Sequence, residues 1–277
     1  MTICRTRREA CSIALSALGL AGAATILPAR AAHAATGSGT LTVGVRDNIP
    51  GFGELNKQNG KFYGLEVDIA QEMATRMGYS DITCKAVTPD NRRKKLQSGK
   101  VDCIVACYSA NDTRKKNFDF SPTYYTDHIV LMAQNSSLVS CVDDLKGLTI
   151  GTRLGADTAA YVVQNLTERG FTSGQAVQAN ADNSDVTYDT WRLRQYTTYP
   201  ELSNALERGE IDAFAADGAI ANGYLTSSRT LLGDYEAAPQ EYAVATQKGS
   251  KLSKQVSSAI QEMLDDGTIA DLIEKWN

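Results

Sequence analysis

A polar loop that directly follows a buried apolar run holds the residues best suited to binding chemistry. The run is Val101–Cys107, and the loop adds a hydroxyl at Ser109, a capping cluster at Asn111–Thr113 and a cation at Arg114. Such a run is typical of a strand buried on both faces, and open α/β sheets bind ligands beyond the carboxyl ends of their strands. These groups would bind a small anion. A connecting loop with a solvated arginine fits the same residues equally well.

Side chains that hold metals or act as nucleophilic pairs are scarce. The chain has two histidines, His33 and His128, and its cysteines lack the paired spacing of zinc sites. His33 falls within the predicted export signal described below. His128 is then the one imidazole that could act as a base for a Cys-His or Ser-His-Asp system. We therefore predict no metal, no cofactor and no catalytic residue.

Length and composition are those of a soluble globular protein larger than one average domain. The chain has 277 residues, 43% of them hydrophobic and 22% charged, with a net charge of −4. Two lobes or one large α/β domain fit this length. An acidic chain of this kind is not a general nucleic-acid binder.

The first 34 residues have the organisation of a signal peptide. Arg5, Arg7 and Arg8 precede a moderately apolar run, Ile13–Leu27, which leads into an A-x-A cleavage site at Ala32–Ala34. The arginine pair resembles a twin-arginine signal, so export by the Sec or the twin-arginine route is open. No cysteine ends the apolar run and no later stretch is long enough for a membrane helix. We predict a soluble periplasmic protein.

Four cysteines remain after export. Cys103 and Cys107 are four residues apart in a predicted strand, about 13 Å at the usual rise, which is too far for a disulfide. Cys84, in the preceding predicted strand, could reach one of them. The pairing of these residues and of Cys141 stays open.

Strand and helix patterns alternate along the rest of the chain. One helix, Gly64–Met77, is predicted from the helical spacing of its apolar residues. The predicted strands are Leu41–Val45, Ile82–Val87, Val101–Cys107, Tyr124–Gln134, Leu148–Thr152, Val186–Tyr196, Ile211–Ala216 and Tyr242–Thr246. The other predicted helices are Asn91–Gln97, capped by Asp90, and Thr158–Arg169, Pro200–Arg208, Lys251–Leu264 and Thr268–Trp276. This order predicts two α/β lobes joined by crossing strands near residues 128 and 243.

Several motifs in register resemble the polar amino acid class of periplasmic solute-binding proteins, family 3. They are Gly64–Ala70 (GLEVDIA), Leu96-x-x-Gly99-x-x-Asp102, Ser109 with Arg114 and Asp119–Pro122 (DFSP), Leu206-x-x-Gly209-x-x-Asp212 with Asp217, and Asp266–Ile269 with Lys275–Trp276. Each motif alone is weak, because it marks little more than the end of a helix and the start of a strand. Together they span nearly the whole chain after the signal. Members that bind glutamate or aspartate for ABC importers are the most similar.

The resemblance implies a type II periplasmic binding protein fold, α/β and two-lobed, with a hinge of two crossing strands. Residues 35–127 and 243–277 would form lobe 1, and residues 128–242 would form lobe 2. The protein would be a monomer, and it would be a binding protein rather than an enzyme. It would close around its ligand and deliver it to an ABC permease in the inner membrane.

The family also implies a binding site. The hydroxyl of Ser109 and the guanidinium of Arg114 would hold the α-carboxylate of an amino acid, with the backbone of Cys107 nearby. Asp217 would hold the α-ammonium, and the helix that begins at Thr158 would add backbone donors from lobe 2. The family usually has a small hydroxyl residue or glycine where this chain has Asp157. We expect Asp157 to turn outward as a helix cap and do not assign it to the site.

Two further arginines indicate an acidic ligand. Arg46 and Arg92 stand where acidic amino acid binders carry cations, and Tyr199 could add a hydroxyl. Three arginines facing Asp217 complement the two carboxylates and one ammonium of glutamate or aspartate. In the alternative interpretation Arg92 belongs to a solvated basic helix face, Arg46 caps a turn and Tyr199 is a buried aromatic. A neutral polar ligand such as glutamine, a dehydratase-like enzyme on the same scaffold and an exported sensory protein therefore stay open.

Overall fold

The computed structural model describes residues 39–276, and the predicted signal, residues 1–34, lies outside them. The described strands are β1 Thr40–Val45, β2 Asn48–Ile49, β3 Gly53–Asn56, β4 Lys61–Tyr63, β5 Asp81–Ala86, β6 Cys103–Ile104, β7 Phe118–Phe120, β8 Tyr125–Gln134, β9 Thr149–Arg153, β10 Ala176–Ala179, β11 Asp185–Tyr188, β12 Arg192–Tyr196, β13 Ala213–Asp217, β14 Arg229–Leu231, β15 Ala237–Tyr242 and β16 Ala245–Gln247. The described helices are α1 Leu65–Arg76, α2 Arg92–Gln97, α3 Asp112–Lys115, α4 Thr158–Glu168, α5 Tyr199–Glu207, α6 Gly218–Asn222, α7 Lys251–Asp265 and α8 Thr268–Trp276. The prediction of an α/β fold is confirmed.

The first lobe is built on a five-stranded sheet in the order β5-β1-β6-β16-β7. Strand β1 runs parallel to both β5 and β6, so the carboxyl ends of these strands meet at one edge. The returning strand β16 pairs antiparallel with β6 and β7. Loops that leave β1 and β6 at this edge carry residues of the candidate site.

The second lobe is built on a larger sheet in the order β10-β11-β12-β9-β13-β8-β14, with β15 also paired to β8. Strands β9 and β13 are parallel, so their carboxyl ends also share one edge. The chain leaves the first sheet after β7 and returns to it after β15. The two crossings lie side by side, because β8 and β15 pair antiparallel with Tyr125 opposite Tyr242.

Helix α1 shows how local sequence sets this architecture. Its apolar residues at helical spacing, among them Ile69 and Met73, are fully buried against the first sheet. Its N-cap residue is Gly64, whose backbone φ of +127° is a conformation that residues with a side chain rarely adopt. A Cβ on Gly64 would lie 2.2 Å from the carbonyl oxygen of Phe52. The entry into α1 therefore requires glycine.

Three predicted strands differ from the structure. Val186–Tyr196 is a hairpin of β11 and β12, because the Tyr188 N–H donates to the Trp191 carbonyl and closes a tight turn. Tyr242–Thr246 divides between β15 and β16, which belong to different sheets. In the buried run Val101–Cys107 only Cys103–Ile104 is strand. A run of β-forming residues predicts extended backbone but does not show where pairing stops.

The predicted cap of α2 is also corrected. Asn91, not Asp90, is the N-cap residue, and its side-chain oxygen accepts a hydrogen bond from the Thr88 N–H. Asp90 instead pairs with an arginine of the second lobe, as described below.

All four described cysteines, Cys84, Cys103, Cys107 and Cys141, are free. Cys84 and Cys103 both lie opposite Val43, on the two strands that flank β1. Two strand spacings separate their Cα atoms by about 9.6 Å, beyond the roughly 7 Å limit for a disulfide. A Cys84–Cys103 bridge is therefore excluded in this fold.

Among residues 39–276, no helix has both the length and the apolar character needed to cross a bilayer.

Candidate functional site

A small cavity of about 20 Å³, roughly the room of one water molecule, lies between the two sheets, at the edges where β1, β6 and β13 end. Its lining contains all eight residues that the sequence assigned to the site: Arg46, Arg92, Cys107, Ser109, Arg114, Thr158, Tyr199 and Asp217. The lining also includes Asp157 and Gln240, which the sequence did not assign. Residues from both lobes therefore surround one space.

The loop after β6 fixes Arg114 and Ser109. Asn111 caps α3 by accepting the Arg114 N–H at 2.9 Å, which places the Arg114 side chain over the loop. Its Nη1 donates to the carbonyl of Ser109 at 2.9 Å. The Ser109 hydroxyl donates to Oε1 of Gln240 at 2.7 Å, so it is held by the strand that returns from the second lobe. The loop therefore holds the Arg114 guanidinium and the Ser109 hydroxyl in fixed positions at the cavity.

Asp157 does not turn outward, so this prediction is wrong. It is the N-cap residue of α4, but its carboxylate forms no cap bond within the described chain. Instead Oδ2 accepts from Asn111 Nδ2 at 2.6 Å and lies 2.7 Å from Nη2 of Arg114. The attraction to a guanidinium in the opposite lobe is stronger than a cap bond to neutral N–H groups. The guanidinium that was assigned to a ligand carboxylate thus already contacts a protein carboxylate.

Arg46 follows β1 and is 3% exposed. Its Nη2 donates to Oδ1 of Asn48 at 2.9 Å, and its guanidinium carbon lies 5.8 Å from the centre of the Tyr199 ring. Its Nε is buried and has no hydrogen-bond partner among the described residues. Arg46 therefore carries donor capacity that the protein does not use.

Arg92 begins α2 and points into the protein, whereas Arg93 on the same helix is exposed. Its Nη1 donates to the carbonyls of Ala106 and Cys107 at 3.1 and 3.3 Å, and its guanidinium lies 3.9 Å from the centre of the Tyr108 ring. Burial, followed by the nearby charge of Arg114, lowers the pKa of Arg92 to about 10. The solvated-face interpretation of Arg92 is therefore wrong.

Arg46 and Arg92 form no ion pair with any residue in the described part of the chain, although both are buried. Two buried guanidiniums without an ion-pair partner in the described chain therefore line this cavity, together with the carboxylates of Asp157 and Asp217.

Glu66 supports the floor of the cavity and was missed by the sequence analysis. It is fully buried, and its Oε1 accepts from the Cys107 N–H at 2.5 Å and from the Tyr124 hydroxyl at 2.6 Å. Cys107 has a left-handed φ of +44°, which is costly for a non-glycine residue. Burial raises the pKa of Glu66. The signal was its place in the GLEVDIA motif, but only tertiary structure shows the contact with Cys107.

Asp217 ends β13 and faces the cavity from the second lobe. Its Oδ2 accepts from the Tyr242 hydroxyl at 2.6 Å. Burial raises the pKa of Asp217 to about 6, while the Tyr242 hydrogen bond opposes the rise. This residue is the acidic group available for a ligand cation.

Thr158 and Tyr199 begin the helices α4 and α5, and both are buried at the cavity. A capping box between Thr198 and Glu201 fixes the start of α5. The Tyr199 ring packs beside Phe214, and burial raises the pKa of its phenol. Tyr199 is therefore both a buried aromatic and a wall of the cavity.

A second ion pair crosses between the lobes. Asp90, from the loop before α2, receives bonds from Nη1 and Nη2 of Arg153 in β9 at 3.1 and 2.6 Å. Gly155 leaves room for this contact, because a Cβ there would lie 2.8 Å from Oδ1 of Asp90. No sequence pattern indicates this pair, since its partners lie 63 positions apart in the chain.

No group of three or more histidine, cysteine, aspartate or glutamate residues within residues 39–276 has an arrangement that could hold a metal ion. The site consists of cations, single carboxylates and hydroxyls that suit binding of a charged small molecule.

Comparison with known proteins places this geometry in a family. The sequence model of the bacterial extracellular solute-binding proteins, family 3, matches residues 41–277. The L-cystine-binding protein TcyJ of Escherichia coli K12 is 32% identical over 86% of this chain and 82% of its own length. The glutamate-binding protein GluB of Corynebacterium glutamicum is 27% identical over 87% of this chain and 79% of its own.

Solved structures agree with the sequence match. An ancestral arginine-binding protein bound to arginine superposes with a TM-score of 0.69 at 27% identity, over 86% of this chain and 98% of that one. The arginine-, lysine-, histidine-binding protein ArtJ of Geobacillus stearothermophilus gives 0.68 at 25% identity, over 86% and 95%. The two-lobed α/β fold is confirmed. The chain belongs to family 3 of the bacterial extracellular solute-binding proteins.

Proposed function

We propose that this protein binds an acidic amino acid, glutamate or aspartate, between its lobes and delivers it to an ABC importer. One observation carries the proposal: Arg46 and Arg92 are buried at the cavity without a carboxylate partner among the described residues. A buried charge without a partner costs several kcal/mol, and a second ligand carboxylate would offset that cost.

Each part of such a ligand has a complementary group. The α-carboxylate would bind Arg114, Ser109 and the backbone at Thr158, where the first turn of α4 has free N–H groups. The α-ammonium would bind Asp217, with the Cys107 carbonyl nearby. The side-chain carboxylate would bind Arg46 and Arg92, with Tyr199 closing that end of the cavity.

Selectivity follows from the two unpaired arginines. Glutamine and asparagine have the shape of the acidic pair but would leave both guanidiniums without a counter-charge. A cationic ligand such as arginine would add a third positive charge to the same region. Relatives are named for binding cystine, glutamine, arginine and glutamate, so the family alone does not choose among these ligands.

Cystine is the second candidate because it also carries two carboxylates. TcyJ is named as an L-cystine-binding protein, and here Asp157 and Asp217 both line the cavity, so Asp157 offers a second acidic group for a second ammonium. A neutral polar amino acid such as glutamine is the third. The dehydratase-like alternative has less support, because the proteins compared here are named for binding solutes.

Transport would follow from closure. The proposed lobes, residues 35–127 with 243–277 and residues 128–242, meet at the paired strands β8 and β15, which would act as the hinge. A ligand held by both lobes favours the closed state by the contacts it gains there. A permease would then recognise the closed monomer, in the periplasm if the predicted signal directs export.

The test is calorimetric titration of the mature protein, unfolded and refolded to remove any bound ligand, with glutamate, aspartate, glutamine and cystine. We expect tight binding of the acidic pair, and a loss of about 100-fold in glutamate affinity in Arg46→Ala, since a charge-assisted pair is removed. Arg93→Ala is the matched control, because Arg93 is exposed and should leave affinity unchanged. Tight binding of glutamine or cystine without binding of the acidic pair would contradict the proposal.

A further inference from the structure

Asp127, on β8, is a buried carboxylate to which the proposed function gives no role. It is 8% exposed, and its Oδ1 accepts from the His128 N–H at 2.8 Å. Its Oδ2 accepts from the Ala219 N–H at 2.9 Å and lies 3.1 Å from the Tyr242 hydroxyl. The same hydroxyl lies 2.6 Å from Oδ2 of Asp217. Two carboxylates therefore converge on one tyrosine oxygen.

A tyrosine hydroxyl has one proton to donate. The shorter distance assigns that proton to Asp217, so Asp127 contacts the hydroxyl without receiving a full hydrogen bond. The two distances place the carboxylate oxygens at most about 6 Å apart. At that separation in a buried site, each carboxylate raises the energy of the other when both are charged, and a cation between them is attracted by both.

The start of α6 explains why Asp217 is free to face the cavity. Asp217 is the N-cap residue of α6, but its side chain forms no cap bond within the described chain. Asp127 accepts the Ala219 N–H in its place. Gly218 makes this approach possible, because a Cβ there would lie 2.8 Å from Oδ1 of Asp127. Asp127 performs the capping that an aspartate at position 217 would otherwise perform.

We propose that Asp127 is a positioning residue of the ammonium site, which frees Asp217 from capping α6 and adds a second negative charge behind it. The inference rests on the proposed function, which places the ligand ammonium at Asp217. It also connects that site to β8 and β15, since Asp127 and Tyr242 belong to these crossing strands.

The inference predicts a specific dependence of affinity on pH. Burial, with a contribution from Asp127, raises the pKa of Asp217 to about 6, so Asp217 loses its charge as the pH falls through that value. Its attraction for an ammonium then falls too. The groups that face Asp217 are Tyr242, Asp127, Arg114, Arg92, Tyr199 and Cys107. Glutamate itself stays ionised above pH 5.

The experiment is calorimetric titration of the mature protein with glutamate at pH 7.5 and at pH 5. For the wild type we expect affinity to fall about 10-fold at pH 5, one pH unit below the pKa of Asp217. In Asp127→Asn we expect weaker binding at pH 7.5, because a charge is lost, and a smaller fall in affinity at pH 5 than in the wild type, because the pKa of Asp217 is lowered. Asp90→Asn is the control, because it removes a carboxylate near the cavity that pairs with Arg153; its pH ratio should equal that of the wild type.

Tyr242→Phe gives a second, opposite readout. The Tyr242 hydroxyl lowers the pKa of Asp217, so its removal should raise that pKa. The loss of glutamate affinity between pH 7.5 and pH 5 should then be larger than in the wild type. Equal pH ratios in the wild type, Asp127→Asn and Tyr242→Phe would overturn the inference while leaving the proposed function intact. No glutamate binding by the wild type at pH 7.5 would overturn both.

Discussion

Asp157 should weaken ligand binding, because it holds the guanidinium that the ligand carboxylate needs. Its carboxylate lies 2.7 Å from Nη2 of Arg114, and Asn111 donates to the same oxygen. A ligand carboxylate must displace this contact or share the guanidinium with it. Replacing Asp157 with asparagine keeps the shape and the acceptor but removes the charge, so we expect tighter binding.

The size of the effect follows from the exposure of the pair. The side chains of Arg114 and Asp157 are 13% and 31% exposed, so solvent partly screens their attraction. Partly exposed ion pairs contribute at most about 1 kcal/mol. Because 1.4 kcal/mol corresponds to a factor of ten, Asp157→Asn should raise glutamate affinity by up to about fivefold.

The assay is calorimetric titration with glutamate at low and high salt. Asp90→Asn is the matched control, since it removes the other carboxylate that bridges the lobes but leaves Arg114 unchanged. The Asp90–Arg153 pair joins the two lobes and would favour the proposed closed state without competing for the ligand, so its loss should weaken binding by about twofold or less. Unchanged or weaker binding in Asp157→Asn would refute the competition, as would changes of the same sign in both variants.

Three further predictions concern the scaffold. Glu66→Ala should lower the free energy of unfolding by about 3 kcal/mol in urea titration, because it leaves the Cys107 N–H and the Tyr124 hydroxyl without an acceptor, whereas the exposed Glu274→Ala should change it by less than about 0.5 kcal/mol. Gly64→Ala should destabilise the protein by more than Glu66→Ala, since its Cβ would overlap the Phe52 carbonyl; a soluble variant with an unchanged midpoint would contradict the conformation of the α1 entry. Alkylation of the denatured mature protein without reductant should label all four cysteines, as detected by mass spectrometry. A pair of unlabelled cysteines would indicate a disulfide and contradict their free state.

The sequence pattern correctly predicts which site residues follow the ends of strands, but it does not predict their hydrogen-bond and ion-pair partners. Arg46, Ser109 and Asp217 follow apolar runs, and parallel strands bring such ends to one edge. The burial of Arg92 does not follow from the local pattern, because Arg92 begins a basic run in which its neighbour Arg93 is solvated. Here the family resemblance indicated what the local pattern did not.

Contacts between distant segments were beyond the sequence patterns. The bond between Glu66 and the Cys107 N–H joins residues 41 positions apart, and the Asp90–Arg153 pair joins residues 63 apart. Asp157 was expected to cap its own helix, which is the local preference of an aspartate at that position. A guanidinium presented by the other lobe overrides that preference, and only the packed structure shows where it lies.

In the proposed function, buried guanidiniums that lack an ion-pair partner among residues 39–276 select a second carboxylate on the ligand. The most direct measurement of this selection is the ratio of glutamate to glutamine affinity for the refolded wild-type protein, obtained by calorimetric titration at pH 7.5. We expect glutamate to bind at least 100-fold tighter than glutamine, because the two ligands differ little in shape and mainly in this charge. Equal affinities, or tighter binding of glutamine, would show that Arg46 and Arg92 do not bind the side-chain carboxylate of the ligand.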